Sequence, residues 1–297
     1  MNLMPTGVLD SPRSPAFARC SSGSGEACSF EATAIRSGEH WVVRCPACGL
    51  GATLPPIEDV SSLYADRQSW DFQPSTGGLA AAIKRIAFRR HARALLAMVP
   101  GRARDIIDYG CGSGLLTSCI ADVSDARVHA LDFHEDPPAE LAGPSYLPFS
   151  RAEELAGTGD VLIASHVLEH EIDPVALVSR MARLVKPGGY LVFEVPNVDC
   201  FGAWFFGRYW DAWYLPFHRL HFNRRTLRAV VERAGLTVVA ETGGRVPTMG
   251  RTAANLVKRR NNLFFLLLGA ALHPVQLAME VLTRQPSALR IACRKPE

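Results

Sequence analysis

The residues with the clearest chemical potential lie in 105–114, DIIDYGCGSG, where an apolar strand closed by a carboxylate runs into three alternating glycines. A short β-branched block of this kind is the pattern of a strand covered on both faces. Gly110, Gly112 and Gly114 permit a tight turn with positive φ, and their missing Cβ atoms let backbone N–H groups come close to a ligand. Three ligands compete for such a turn: a nucleoside triphosphate, a dinucleotide, and an adenosyl cofactor without phosphate. The triphosphate loop needs Gly-Lys-Ser/Thr, whereas Gly114 is followed by Leu115, Leu116 and Thr117. The dinucleotide fingerprint would set its third glycine at 115, which is leucine. Asp108, two residues before the first glycine, would repel a pyrophosphate and attract an ammonium or sulfonium charge. Asp132, which closes VHALD, suits a ribose diol and equally well a plain helix cap.

Histidine is the side chain best suited to take a hydroxyl proton near neutral pH. His166 and His170 sit four apart in SHVLEH, a spacing that puts both on one side of a helical turn. His218 and His221, in PFHRLHF, follow an aromatic block and form the better pair for a base or an acceptor contact. Each also has a structural reading as a hydrogen-bonded core histidine. Glu169 with His166 and His170 offers either a divalent-cation set or a capped helix start, of which the cap is preferred. Residues 201–217, FGAWFFGRYWDAWYLPF, hold nine aromatic side chains. That density must pack on something, either as core or as a lid over an apolar acceptor.

Of the eight cysteines, four are grouped as Cys20, Cys28, Cys45 and Cys48, with CPACG forming the second knuckle. This spacing predicts a zinc-ribbon-like module in which four thiolates surround one structural ion, with His40 as a spare ligand. The start of the chain has no apolar block behind basic residues, which predicts a cytoplasmic protein with reduced thiols. A net charge of +3 over 297 residues is too weak for nucleic acid as the main partner.

The elements that must position these residues alternate in the manner of strands joined by crossover helices. Strands are expected at RDIID, ARVHALDF, PSYLPF, GDVLIAS, GYLVFEVPN, LTVVAET and SALRIACRK, with helices between them. The fold expected is α/β, a doubly wound, mostly parallel seven-stranded sheet with a small N-terminal module. Its divisions are a disordered leader at 1–19, the cysteine module at 20–66, a linker and helix at 67–100, the core at 101–245, and an apolar helical segment with the last strand at 246–297. No apolar run reaches the roughly 18 residues of a membrane span. The nearest, LFFLLLGAAL at 263–272, follows Lys258, Arg259 and Arg260 and reads as a buried helix, with weak membrane-surface association as its alternative.

Taken in order, DYGCGSG, LDF, GDVLIASHVLEH and DPVALVSRMARLVKPGGYLVFEVPN resemble class I S-adenosylmethionine-dependent methyltransferases over about residues 80–245. VLEHEIDP and LVKPGGYLVFEVPN resemble the branch containing quinone-biosynthesis O-methyltransferases. The resemblance implies a Rossmann-like core with S-adenosylmethionine as cofactor. Gly110, Cys111, Gly112 and Gly114 would wrap its methionine part, Asp108 would lie near its amino group, and Asp132 would hold the ribose. Phe133 would cover the adenine, Ala152 and Glu153 would line its edge, and Ser165 and His166 would face the methionine and the acceptor. In similar proteins that carry the cysteine module its first pair is C-x2-C, and Gly25 stands here where that cysteine would be. The implied activity is methyl transfer to a small molecule, foremost at a hydroxyl oxygen. A C- or N-methyltransferase acting on a sugar nucleotide or glycan intermediate, and a non-catalytic binding module of the same fold, are the competing readings. The sequence leaves the oligomeric state open.

Overall fold

A computed structural model of the chain describes residues 20–21, 27–57, 78–259 and 262–297. The leader expected at 1–19 and most of the link between module and core lie outside the described residues.

Three strands form first: β1 (Glu31–Ser37), β2 (His40–Arg44) and β3 (Gly51–Leu54). The helix α1 (Leu79–Leu96) then buries Ala92 and Leu95, while its Arg85 and Arg89 reach Asp122 on α2 (Leu115–Val123). Strand β4 (Asp105–Tyr109) is buried along its whole length, as its β-branched pair required, and Ile106 and Ile107 are at most 1% exposed. Burying each of these side chains contributes about 1.5–3 kcal/mol. There follow β5 (Arg127–Asp132), β6 (Ser145–Pro148), β7 (Gly159–Ser165), α3 (Pro174–Leu184) and β8 (Val185–Pro196). Asp173 caps α3 by accepting from the Ala176 N–H, and Pro174 takes the first helical position, where its missing donor costs nothing.

The chain continues through α4 (Phe201–Phe206), the two-residue strand β9 (Leu220–His221), α5 (Arg224–Arg233) and β10 (Thr237–Gly244). It closes with α6 (Met249–Leu256), α7 (Leu263–Thr283) and β11 (Ala288–Arg294). Seven strands form one sheet in the order β10-β11-β8-β7-β4-β5-β6. All neighbours in it are parallel except the pairs that β11 makes with β8 and β10. The chain winds outward from β4 to β6 and then returns to β7 on the other side of β4. The crevice beyond the ends of β4 and β7 is therefore the switch point where such sheets bind ligands.

A second sheet, β1-β2-β3-β9, is antiparallel and joins the cysteine module to the core, since β9 follows the aromatic segment of the main domain. Sequence reading did not foresee this strand, because two residues carry no detectable period. The Asn223 and Thr226 capping box of α5 sits at the same junction, and the Asn223 amide donates to the Cys48 carbonyl.

Two expectations need correction. His166 and His170 do not share a helical turn: His166 is at φ 57 and only Leu168–His170 form a 3-10 turn. The apolar segment at 263–272 is not a buried helix. The helix α7 runs on through His273 and Pro274, where the contiguous apolar run ended, and becomes long and apolar enough to cross a membrane by length and composition. Phe264, Leu267, Val275 and Leu282 are 55–75% exposed.

Candidate active site

The glycine turn after β4 forms as its composition required, with φ of 79° at Gly110, 55° at Gly112 and 81° at Gly114. A Cβ at Gly110 would stand 2.6 Å from Val167 Cγ2, and one at Gly114 would stand 2.8 Å from Leu141 Cβ. Both positions thus exclude a side chain on steric grounds as well as conformational ones. The Gly110 and Cys111 N–H groups donate to the Leu131 carbonyl, which ties the turn to the end of β5. At that end the Asp132 carboxylate accepts from Gly112 N at 2.8 Å and from Phe133 N at 2.8 Å. These two backbone donors fix the plane of the carboxylate.

Asp108 is 1% exposed and accepts a 2.5 Å hydrogen bond from the Thr117 hydroxyl. Burial, reinforced by the nearby Asp132 charge, pushes its carboxyl up to about 6 in spite of that bond. Burial also pushes the Cys111 thiol up, and the charges of Asp108 and Asp132 add to the effect. A thiol that keeps its proton is a poor nucleophile, and Cys111 is left as a small filler of the turn.

Asp108, Gly110, Cys111, Gly112 and Asp132 border one cavity of about 1500 Å³, which also takes in Phe133, Ala152, Glu153, Ser165, His166, His170 and His218, whereas Gly114 packs against Leu141 outside its lining. Ala152 and Glu153 lie on a 3-10 turn, Phe149–Leu155, whose Phe149 stacks on Tyr109 at 4.5 Å. His221 does not border the cavity. Its Nε2 lies 2.9 Å from the Thr53 hydroxyl under β3, and burial lowers its imidazole to about 3.

The remaining histidines fall into two electrostatic settings. His166 stands between two carboxylates, with Nδ1 3.0 Å from Glu169 Oε1 and Nε2 3.5 Å from Glu194 Oε1. Burial disfavours its charge, but the hydrogen bonds and charges of Glu169 and Glu194 outweigh that and raise it to about 10. Glu194 is fully buried in β8, faces His91 and Arg290, and accepts from the Ser165 hydroxyl. Burial pushes its carboxyl up, yet the donors from His166 and His91 hold it well below the usual range.

His218 is the opposite case. Its Nδ1–H donates to the Ala212 carbonyl at 2.9 Å, a tautomer that leaves Nε2 as an acceptor, 3.9 Å from Glu169 Oε1. Burial, with the neighbouring His170, His221 and His166, lowers it well below the ordinary histidine value, so it is neutral at pH 7. His170 Nδ1 bonds the Phe217 carbonyl at 3.0 Å, and the two rings meet edge to face at 4.7 Å. Glu169, His170 and His218 bring ligand-type atoms within 4.8 Å of one another, a grouping in which His218 takes the position expected of His166.

The aromatic segment divides between the two roles expected of it. Trp210 and Trp213 are buried against Val42, Val198 and Cys200, whereas Asp211, Ala212 and Tyr214 line the cavity. Trp204 and Phe205 remain 78% and 62% exposed. Sequence reading missed Glu194 and Arg290, although a carboxylate inside the apolar run VFEVPN was a visible signal. Their pairing rests on antiparallel register, which sets Arg290 directly across from Glu194.

In the cysteine module, Cys20 and Cys45 sulfurs lie 3.8 Å apart and Cys28 and Cys48 sulfurs 3.6 Å apart. All four atoms fall within 4.8 Å of one another, and all four thiols are free of disulfides. Zn–S bonds of about 2.3 Å imply a tetrahedron with edges of about 3.8 Å, so the donor set fits one zinc ion.

The sheet order, the switch-point cavity and the glycine turn define a Rossmann-like α/β domain of the methyltransferase type. The model for the family described as Methyltransferase domain matches residues 80–241, more than half of the chain, and the chain belongs to that family. It is similar to a protein of Mycolicibacterium smegmatis named a probable S-adenosylmethionine-dependent methyltransferase, at 32% identity over 51% of this chain and 59% of that protein. It is also similar to the ubiquinone biosynthesis O-methyltransferase of Vibrio parahaemolyticus, at 34% identity over 32% of this chain and 44% of that protein. The chain thus spans about half the length of the curated relatives it matches. Among solved structures, the complex between the Haloferax volcanii Trm112 methyltransferase activator and a methyltransferase contains a chain with the same fold. The TM-score is 0.50 at 16% identity, over 73% of this chain and 95% of that one.

Proposed function

We propose that this protein transfers a methyl group from S-adenosylmethionine to a hydroxyl of a small-molecule acceptor, with His218 as the base. The observation that carries the reading is one continuous cavity from Asp108 and the glycine turn to the neutral His218. Its volume of about 1500 Å³ exceeds the roughly 300–1,000 Å³ of an ordinary ligand pocket, which leaves room for cofactor and acceptor together. The names of the similar proteins, one for this cofactor and one for O-methylation, support the same reading.

When bound, S-adenosylmethionine supplies an activated methyl, so the protein's work is to align the acceptor, exclude water and remove one proton. Asp132 would hold the ribose, Phe133, Ala152 and Glu153 would border the adenine, and Asp108 would face the ammonium group. Gly110, Cys111, Gly112 and Gly114 wrap the methionine part, and Ser165 lies beside it. His218 takes the acceptor proton at Nε2, since its Nδ1 proton is committed to Ala212. His166 already carries its proton and serves instead to neutralise Glu169 and Glu194. His170 packs against the His218 ring and fixes its position. Cys20, Cys28, Cys45 and Cys48 hold one zinc, which has a structural role because four thiolates leave no open position.

Calorimetric titration with S-adenosylhomocysteine tests the cofactor site. Binding that weakens by about a factor of ten or more in Asp132→Ala, as expected for a lost charge-assisted contact, supports the assignment. The absence of binding to well-folded protein would overturn it. An acceptor screen with phenols and catechols then tests the reaction, with methyl ether formation as the readout.

A further inference from the structure

The helix α7 is inverted relative to an ordinary surface helix. Its inward stripe, Phe265, Gly269, Gln276 and Glu280, contains the helix's buried polar side chains. Gln276 donates to the Val246 carbonyl and to Glu280, and accepts from the Thr248 N–H. Gly269 meets Gly250 of α6 so closely that a Cβ on it would stand 2.8 Å from the Gly250 backbone. These contacts fix which face points outward. That face is Phe264, Leu267, Ala271, Val275, Ala278 and Leu282, spaced three or four residues apart and apolar throughout. The helix α4 packs beside α7 and adds the exposed Trp204 and Phe205.

On the segment that carries α7, residues 242–296, the exposed charges are all basic, and the exposed acid beside α4, Asp199, is paired with Arg44. Lys258 and Arg259 stand exposed before the helix and Arg284 stands exposed after it. Between Thr242 and Pro296 the only acidic residue is Glu280, which is 6% exposed. A second copy of the chain docked here in a two-fold manner would set these cations against themselves, with no exposed acid on the same segment to pair them. An anionic lipid surface complements both features: it accepts the apolar face and attracts the basic rim, while exposed Trp and Phe suit the headgroup boundary.

We propose that α7, with Trp204 and Phe205 of α4, lies in the interface of an anionic bilayer as a monotopic docking surface. The proposal does not depend on methyl transfer. It does have a consequence for the cavity, since His273 and Leu277 of α7 border it, so the helix that docks on the lipid also forms part of the cavity wall.

The test is flotation of the full chain with vesicles of phosphatidylcholine alone and of equal parts phosphatidylcholine and phosphatidylglycerol. Trp fluorescence and sedimentation are read on the same samples. The expected result is flotation with the anionic vesicles, a blue shift of Trp emission, and loss of both at high salt. Leu267→Glu and Val275→Glu, both at exposed positions away from the cavity, should weaken partitioning roughly tenfold or more. Their circular dichroism and S-adenosylhomocysteine titration should match the parent protein, which separates lost docking from lost folding. Equal flotation with neutral vesicles would overturn the anionic assignment. No flotation, together with a dimer that either substitution dissociates, would overturn the lipid surface in favour of a second copy.

Discussion

Two walls of the same cavity hold histidine in opposite protonation states. On one, His166 sits between Glu169 and Glu194 and keeps its proton to about pH 10. On the other, His218 is packed against His170 with a backbone carbonyl on Nδ1 and stays neutral. Exposure alone does not decide the charge, since the half-buried His166 is raised above the ordinary histidine value and not merely returned to it. The difference is the count of carboxylates within hydrogen-bonding reach, two for His166 and none for His218, whose nearest is Glu169 at 3.9 Å. One fold thereby builds a fixed cation and a proton acceptor a few residues apart in space, and only the second has the protonation state of a base.

The largest expected effect comes from removing the acceptor. His218→Ala should lower kcat by about 10²–10⁴ with a hydroxyl substrate, while calorimetry shows S-adenosylhomocysteine binding unchanged. A variant with full kcat would break the contrast between the walls. Next is the cation wall, where Glu194→Ala strands Arg290 and His166 beside a buried vacancy. Urea unfolding should show a loss of about 3–5 kcal/mol, the usual result of breaking a buried pair from one side.

A smaller effect follows from Asp108, whose carboxyl titrates near 6. Below that pH it is neutral and has little attraction for an ammonium group; above it the anion is available. Affinity for S-adenosylhomocysteine should therefore rise between pH 5 and 7, by about tenfold for each 1.4 kcal/mol of interaction gained. An affinity flat across that window would remove Asp108 from the cofactor site.

The gentlest probe perturbs nothing. Histidine side-chain NMR should show His166 as imidazolium at pH 7 and His218 as a neutral Nδ1–H tautomer. Because the folded state raises His166 from its ordinary 6.5 to about 10, its contribution to stability is complete below 6.5. That contribution is lost as pH rises through 10. Unfolding midpoints measured along this alkaline limb should fall in parallel with the NMR titration.

Much of the cofactor half was legible because it is local. Gly110, Gly112 and Gly114 follow a buried strand within ten residues, and their positive φ values are consequences of residue type. The strand and helix order of the core was legible for the same reason, since each element carries its own period. The acceptor half was not. His166 and His218 lie fifty-two positions apart in the chain, and although Glu169 stands three residues after His166, nothing in the local sequence brings it the second carboxylate, Glu194. His221 lies only three positions after His218, yet β9 carries it to Thr53 and away from the cavity.

By itself, then, the sequence determined the α/β core, the glycine turn, the two carboxylates beside it and the set of four cysteines, because short-range spacing specifies each of them. Tertiary structure decided which histidine is charged, that Arg290 answers Glu194, and that the apolar helix turns its hydrophobic face outward. Each of those depends on what distant segments bring within a few ångströms, and charge, burial and exposure are properties of that assembled neighbourhood rather than of any residue alone.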